Sequence, residues 1–163
     1  MPIFINRFFM NEAKITLSDK ELSLVGNTEW ILTKQSVIEK VYGILGRCSQ
    51  ILQHEILPQL QFPAEILQSI PTIYKGEQYH SLPYVMLDHP RVFAGEHAFA
   101  WRTFFWWGNF ISISFHLAGN YRSCINENKL STYLAGDSEM YICIGNDPWQ
   151  HHFEEDNVIN CGG

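Results

Sequence analysis

The sequence predicts an α+β fold: N-terminal helices, one of them long, packed on a small antiparallel sheet formed mainly by the second half of a single domain, residues 1–163. Three observations carry this. Ile38, Val41, Leu45, Cys48, Leu52 and Ile56 recur at steps of three and four, the apolar stripe of one continuous helix. Phe110-Ile-Ser-Ile-Ser-Phe-His-Leu117 alternates with a period of two, the mark of a strand whose faces differ. Helical patterns come first and strand patterns later, with no internal repeat and no low-complexity segment between them.

Taken in order, MPIFINRFFMNEAKI is apolar but lacks a sustained hydrophobic region and a small-residue cleavage site, so it is expected to pack as a first strand or turn. Ser18 and Glu21 have capping-box spacing and Gly26 is a natural stop, which predicts a short helix between them. Trp30, Ile31 and Leu32 suit either an extended segment or an early helical turn. Ser36 and Glu39 repeat the capping-box spacing, so the long helix is expected from Ser36 to about Leu57, ended by Pro58. Phe62–Ile70 reads as a further short helix with Pro63 at its start.

From Pro71 the texture changes. Thr72–Ser81, with Gly76 and several polar residues, reads as a connection. Leu82–Asp88 reads as a strand, and His89-Pro90-Arg91 as a turn, because a residue before proline avoids the helical region. For Gly95–Trp107, Phe99, Arg102 and Trp106 lie at helical spacing and Glu96 suits a first turn, whereas the aromatic richness suits a strand; helix is the expectation, stopped by Gly108-Asn109. After the strand Phe110–Leu117, residues 120–134 are expected to hold a helix or an irregular excursion. Met140–Gly145 is expected as a final strand, followed by a polar tail over the surface. Ile111, Ile113, Phe115 and Leu117 form the drier face of their strand and are expected to meet the long helix.

A chain of this length can bury about 70% of its unfolded surface. The net charge of −6, without any run of Lys or Arg, argues against nucleic acid as a partner. Ala98–Gly119, with three of the five tryptophans, is long enough to span a membrane. Arg102, Asn109, His116 and two serines oppose insertion, the central Arg alone by about 2.5–3.5 kcal/mol. No membrane span is expected. Cys48, Cys124, Cys143 and Cys161 have neither CxxC nor zinc-type spacing, which suits reduced thiols in a cytoplasmic protein; Cys48 and Cys143 read as small core fillers.

Chemistry gathers in the second half. Asp88, His116 and His151 are the candidate catalytic residues, with His89, His152, Glu154, Glu155 and Asp156 nearby in the sequence: imidazole and carboxylate together can hold a divalent metal or act as base and orienting partner. No HExxH, HxH or spaced ligand triad is present, so neither a metal nor a cofactor is predicted. Arg102 and Trp106 are the candidate ligand-binding residues, a guanidinium among aromatics that suits a carboxylate or phosphate, or else an internal ion pair. There is no GxSxG elbow and no Gly-rich phosphate loop.

The combination of YKGEQYHSLPYVMLDHPRVF, AFAWRTFFWWGNFISISFHLAG and GNDPWQHHFEEDN resembles a group of small bacterial proteins known only as uncharacterised. The resemblance covers the second half of the chain and implies no activity. The aromatic surplus and the missing catalytic motifs together favour a non-catalytic binding or protein-interaction domain, its partner a protein or a small anionic ligand. The alternative is a small metal-dependent or acid–base enzyme built on the His/Asp cluster.

Overall fold

The structure is a computed structural model that describes residues 16–162; the expectation for the N-terminal fifteen residues lies outside them. The chain divides into two compact units, Met1–Lys40 and Val41–Gly163. In the first, helix α1 (Asp19–Val25) starts on the predicted capping box: Ser18 Oγ accepts from the Glu21 amide while the Glu21 carboxylate accepts from the Ser18 amide at 2.7 Å. Gly26 follows at its C-terminus. Asn27 then caps the next helix, its Oδ1 accepting from the Trp30 amide at 2.9 Å. Helix α2 (Thr28–Ile51) therefore begins eight residues before Ser36, which lies inside it. Residues 16–33 are all exposed.

In the second unit the remainder of α2 buries Val41, Leu45 and Ser49, one side at helical spacing, and passes into a π turn (Leu52–Ile56) and a 3-10 turn (Leu57–Gln59). Leu52 and Leu57 continue the buried side, so the stripe read from the sequence is the packed side from Val41 onward. Helix α3 (Ala64–Leu67) is a single turn that buries Ile66 completely.

The sheet has four antiparallel strands in chain order: β1 (Thr72–Tyr79), β2 (Leu82–Ala94), β3 (His97–Trp106) and β4 (Ile111–Ala118). Three expectations are corrected here. Thr72–Ser81 is strand β1 followed by its hairpin turn, in which His80 and Ser81 both have positive φ. His89-Pro90-Arg91 does not turn the chain; β2 runs through it, with a cis His89–Pro90 peptide and a register shift between Asp88 and Arg91. Gly95–Trp107 is not helical but is the hairpin glycine and the central strand β3. β3 is covered on both faces, with Phe99 and Phe104 fully buried, so apolar residues occur on both faces and the strand shows no alternation.

One face of the sheet carries Val85, Leu87, Phe99 and Thr103, all buried. Phe62 meets Phe99 edge-on at 5.0 Å, and Ser49 of α2 reaches His89 of β2 at 3.0 Å. On edge strand β4, however, Ile111 and Ile113 are 63% and 66% exposed, while Ser112, Ser114 and His116 on the opposite face are partly covered. The expected burial of the Ile111, Ile113 and Phe115 face is thus overturned. The helical layer covers the central strands, not this edge.

Beyond β4, a 3-10 segment (Gly119–Cys124) leads to helix α4 (Glu127–Leu134), capped by Asn126. The predicted final strand shortens to β5 (Tyr141–Cys143), which pairs antiparallel with β6 (Val158–Asn160). The tail is therefore not merely a surface strand of chain: it supplies β6, and Asn157 is buried. Cys143 is exposed, against expectation. No helix among the described residues is long and apolar enough to cross a membrane.

Candidate functional site

The second face of the sheet is built from side chains that the antiparallel register brings together. Tyr74 opposes Met86, which opposes Phe104; Asp88 opposes Arg102, which opposes Ser114; Ala100 opposes His116. Met86, Phe104 and Trp106 form its apolar floor, with Tyr74, Tyr79, Tyr84 and Phe110 packed against it. The irregularity between Asp88 and Arg91 adds one residue to β2 and shifts its alternation, the usual consequence of a bulge. Asp88 and Arg91 consequently both face this side, while His89 turns to Ser49 on the other.

Arg102 is the centre of the arrangement and is 4% exposed. Its Nε donates to Asp88 Oδ1 at 2.7 Å and its Nη2 to Asp88 Oδ2 at 2.8 Å, a bidentate pair with Asp88 1% exposed. Nη2 also reaches the Tyr74 hydroxyl at 3.4 Å, and Nη1 donates to His151 Nε2 at 3.2 Å. Because a guanidinium only donates, His151 Nε2 must be the unprotonated ring nitrogen. The Trp149 ring lies 5.2 Å from Arg102 Cζ and stacks on His116 at 5.5 Å, with 16° between the planes.

The segment Asp147–His151 thus forms the outer wall. Asp147 Oδ1 holds the Trp149 amide at 2.9 Å, and the Tyr79 hydroxyl accepts from the His151 amide at 2.6 Å. Between this wall and the sheet lies a concavity of about 390 Å³, lined among others by Tyr74, Tyr79, Tyr84, Arg91, Phe93 and Trp149.

Burial, followed by the positive charge of Arg102, pushes the His116 imidazole down to about 4, and the same two effects push His151 down to about 4. Both rings are neutral at pH 7. Burial likewise pushes the Tyr74 phenol up to about 12, so it remains a hydroxyl. The ionised lining residues are therefore Asp88, Arg91 and Arg102, two cations against one anion. Arg102 is committed to Asp88. Arg91 has no carboxylate partner among the described residues, and its guanidinium lies 5.6 Å from the Phe93 ring.

The structure brings Asp88, Arg102, His116 and His151 together, the two imidazoles 6.0 Å apart. Trp106 is behind the concavity rather than in its lining, 8% exposed, with its indole N–H unpartnered among the described residues. Sequence reasoning did not find Tyr74, Tyr79, Tyr84, Arg91 or Trp149. The signal available was the alternation Ile73-Tyr74-Lys75 leading into a second tyrosine-bearing strand. In comparisons with known proteins, no family model, no curated protein and no solved structure matches the chain.

Proposed function

We propose that this protein is a non-catalytic binding domain whose concavity takes a small ligand with an aromatic body and one anionic group. The observation that supports this is Arg91: the one lining cation without a carboxylate partner among the described residues, at the edge of walls made of tyrosine, phenylalanine and tryptophan. Aromatic walls supply apolar contact and stacking, and a few placed polar groups fix orientation. Here those groups are the Arg91 guanidinium and the hydroxyls of Tyr74 and Tyr84. Asp88, Arg91 and Arg102 leave the lining a surplus of one positive charge, which favours an anion there although the chain as a whole carries −6.

The acid–base reading draws support from the convergence of Asp88, His116 and His151. Against it, Asp88 is held by two short bonds to Arg102, and His116 lies well below the range in which a base acts near neutrality. Binding is the better reading.

The test is calorimetric titration with benzoate, 3-phenylpropionate and indole-3-acetate, each beside its uncharged alcohol analogue. At least one acid should bind more tightly than its alcohol, and Arg91→Met should erase that preference while leaving the fold intact. If no acid binds, or if Arg91→Met leaves the preference unchanged, the reading fails.

A further inference from the structure

We propose that His152, Glu154 and Asp156 form a divalent-cation site, suited to zinc, on the loop that follows the wall of the concavity. His152 is 11% exposed in its side chain, and its Nδ1 is fully shielded yet has no hydrogen-bond partner among the described residues. Two carboxylates lie near that nitrogen. Glu154 Oε2 and Asp156 Oδ1 each lie 4.0 Å from it, and all three atoms fall within 4.8 Å of one another.

A separation of 4.0 Å is too long for a hydrogen bond, which needs about 2.7–3.2 Å. It leaves room for an ion to draw the three groups together. Zinc bonds of about 2.0–2.2 Å to nitrogen and oxygen place two donors at most about 4.2 Å apart, and closer at tetrahedral angles. Closing onto an ion thus asks for movements below about 1 Å, and the two carboxylates are 77% and 80% exposed and free to make them. Neither has another hydrogen-bond or ion-pair partner among the described residues.

The backbone beneath is fixed. Asn157, 3% exposed, donates from Nδ2 to the His152 carbonyl at 2.7 Å and from its amide to the Glu154 carbonyl at 2.9 Å. Val158 adds a second bond to the Glu154 carbonyl at 3.1 Å. The ligand-bearing turn is therefore anchored to β6 before any ion arrives. One imidazole and two carboxylates suit zinc better than calcium, which takes six to eight oxygen ligands. Three protein donors leave a fourth position for water. Because His152 directly follows His151, a bound ion also tethers the wall that carries Trp149.

The experiment is calorimetric titration of the full chain, freed of metal by chelator and then of chelator, with zinc chloride and calcium chloride. Zinc should bind at one equivalent and calcium should not compete. The double variant Glu154→Gln/Asp156→Asn changes only exposed side chains, so it keeps the fold. Its zinc affinity should fall by more than the roughly 10–100-fold typical of losing an outer-shell partner, and His152→Gln should do the same. Cobalt(II) supplies a second readout, since visible absorption of a four-coordinate ion should appear in the parent chain and vanish in the double variant. Zinc affinity unchanged in the double variant, or no zinc binding by the parent chain, overturns the proposal.

Discussion

Asp88 and Arg102 are direct cross-strand partners on β2 and β3, and their side chains meet in a bidentate pair, 2.7 and 2.8 Å, that is all but sealed from solvent. Their value to the fold is conditional. Two buried charges pay a large desolvation cost that their mutual attraction roughly returns, whereas one of them alone leaves the other uncompensated. Arg102→Met should therefore destabilise by about 3–5 kcal/mol, and Asp88→Leu by a similar amount. The double variant Asp88→Leu/Arg102→Met should recover most of that loss. Urea unfolding of the four proteins measures the coupling, and additive losses would mean that the two side chains do not depend on each other.

Acid should weaken the fold through His116. Its pKa is about 4 when folded against an ordinary 6.5, because burial and then Arg102 oppose its charge. Below about pH 6.5 the unfolded chain takes up a proton that the folded chain refuses, so stability falls with pH down to about 4 and then levels. Asp88 acts in the opposite sense, as the smallest contribution, while Trp149 and Ser114 add no charge. The loss attributable to His116 is of order 3 kcal/mol at most. Unfolding midpoints of the parent and His116→Gln, taken in chelator between pH 7.5 and 4.5, isolate it. A variant as acid-sensitive as the parent would place the cause elsewhere.

Much of this fold was legible, and the failures have a common physical cause. The capping box at Ser18 and the stripe from Val41 to Leu52 are local signals, and both hold. β3 carries a helical signal because Phe99, Arg102 and Trp106 sit three and four apart in a strand as easily as in a helix once both faces are covered. β1 was hidden by Gly76 and its polar residues. On β4 the alternation revealed two faces but not which one the rest of the chain covers. Asp88, Arg102, His116 and His151 were recognised as chemistry-bearing, whereas Arg91 depends on a bulge and Trp149 on a tail folding back, neither of which has a local signature.

The faces of the sheet can be checked by truncation. Leu87 is completely buried and Leu45 nearly so, while Ile113 is 66% exposed. Leu87→Ala and Leu45→Ala should each cost about 2–5 kcal/mol. Ile113→Ala should cost less than about 1 kcal/mol, since little of its surface leaves water on folding. Equal losses at Leu87 and Ile113 would mean that the β4 edge is covered after all.

Gly76 offers a way to disturb the concavity while sparing the rest of the fold. It opposes Tyr84 across β1 and β2, and the phenol ring lies over the space that a side chain at 76 would occupy. A Cβ there would come within 2.5–2.6 Å of the far end of that ring, so the ring must move. Tyr84 is half-buried and held by aromatic neighbours, with Phe104 at 5.2 Å and Tyr79 at 6.3 Å, and it can rotate without opening the backbone. Gly76→Ala should therefore destabilise by only about 1–2 kcal/mol, in the range of a modest overpacking change. Its effect on the aromatic acids should be larger, a loss of about tenfold or more in affinity, equivalent to about 1.4 kcal/mol of contact at the Tyr84 wall. Tyr84→Ala should match it in binding. Gly76→Ala with full affinity and a displaced Tyr84 ring, read from the ring's proton shifts, would show that this wall does not touch the ligand.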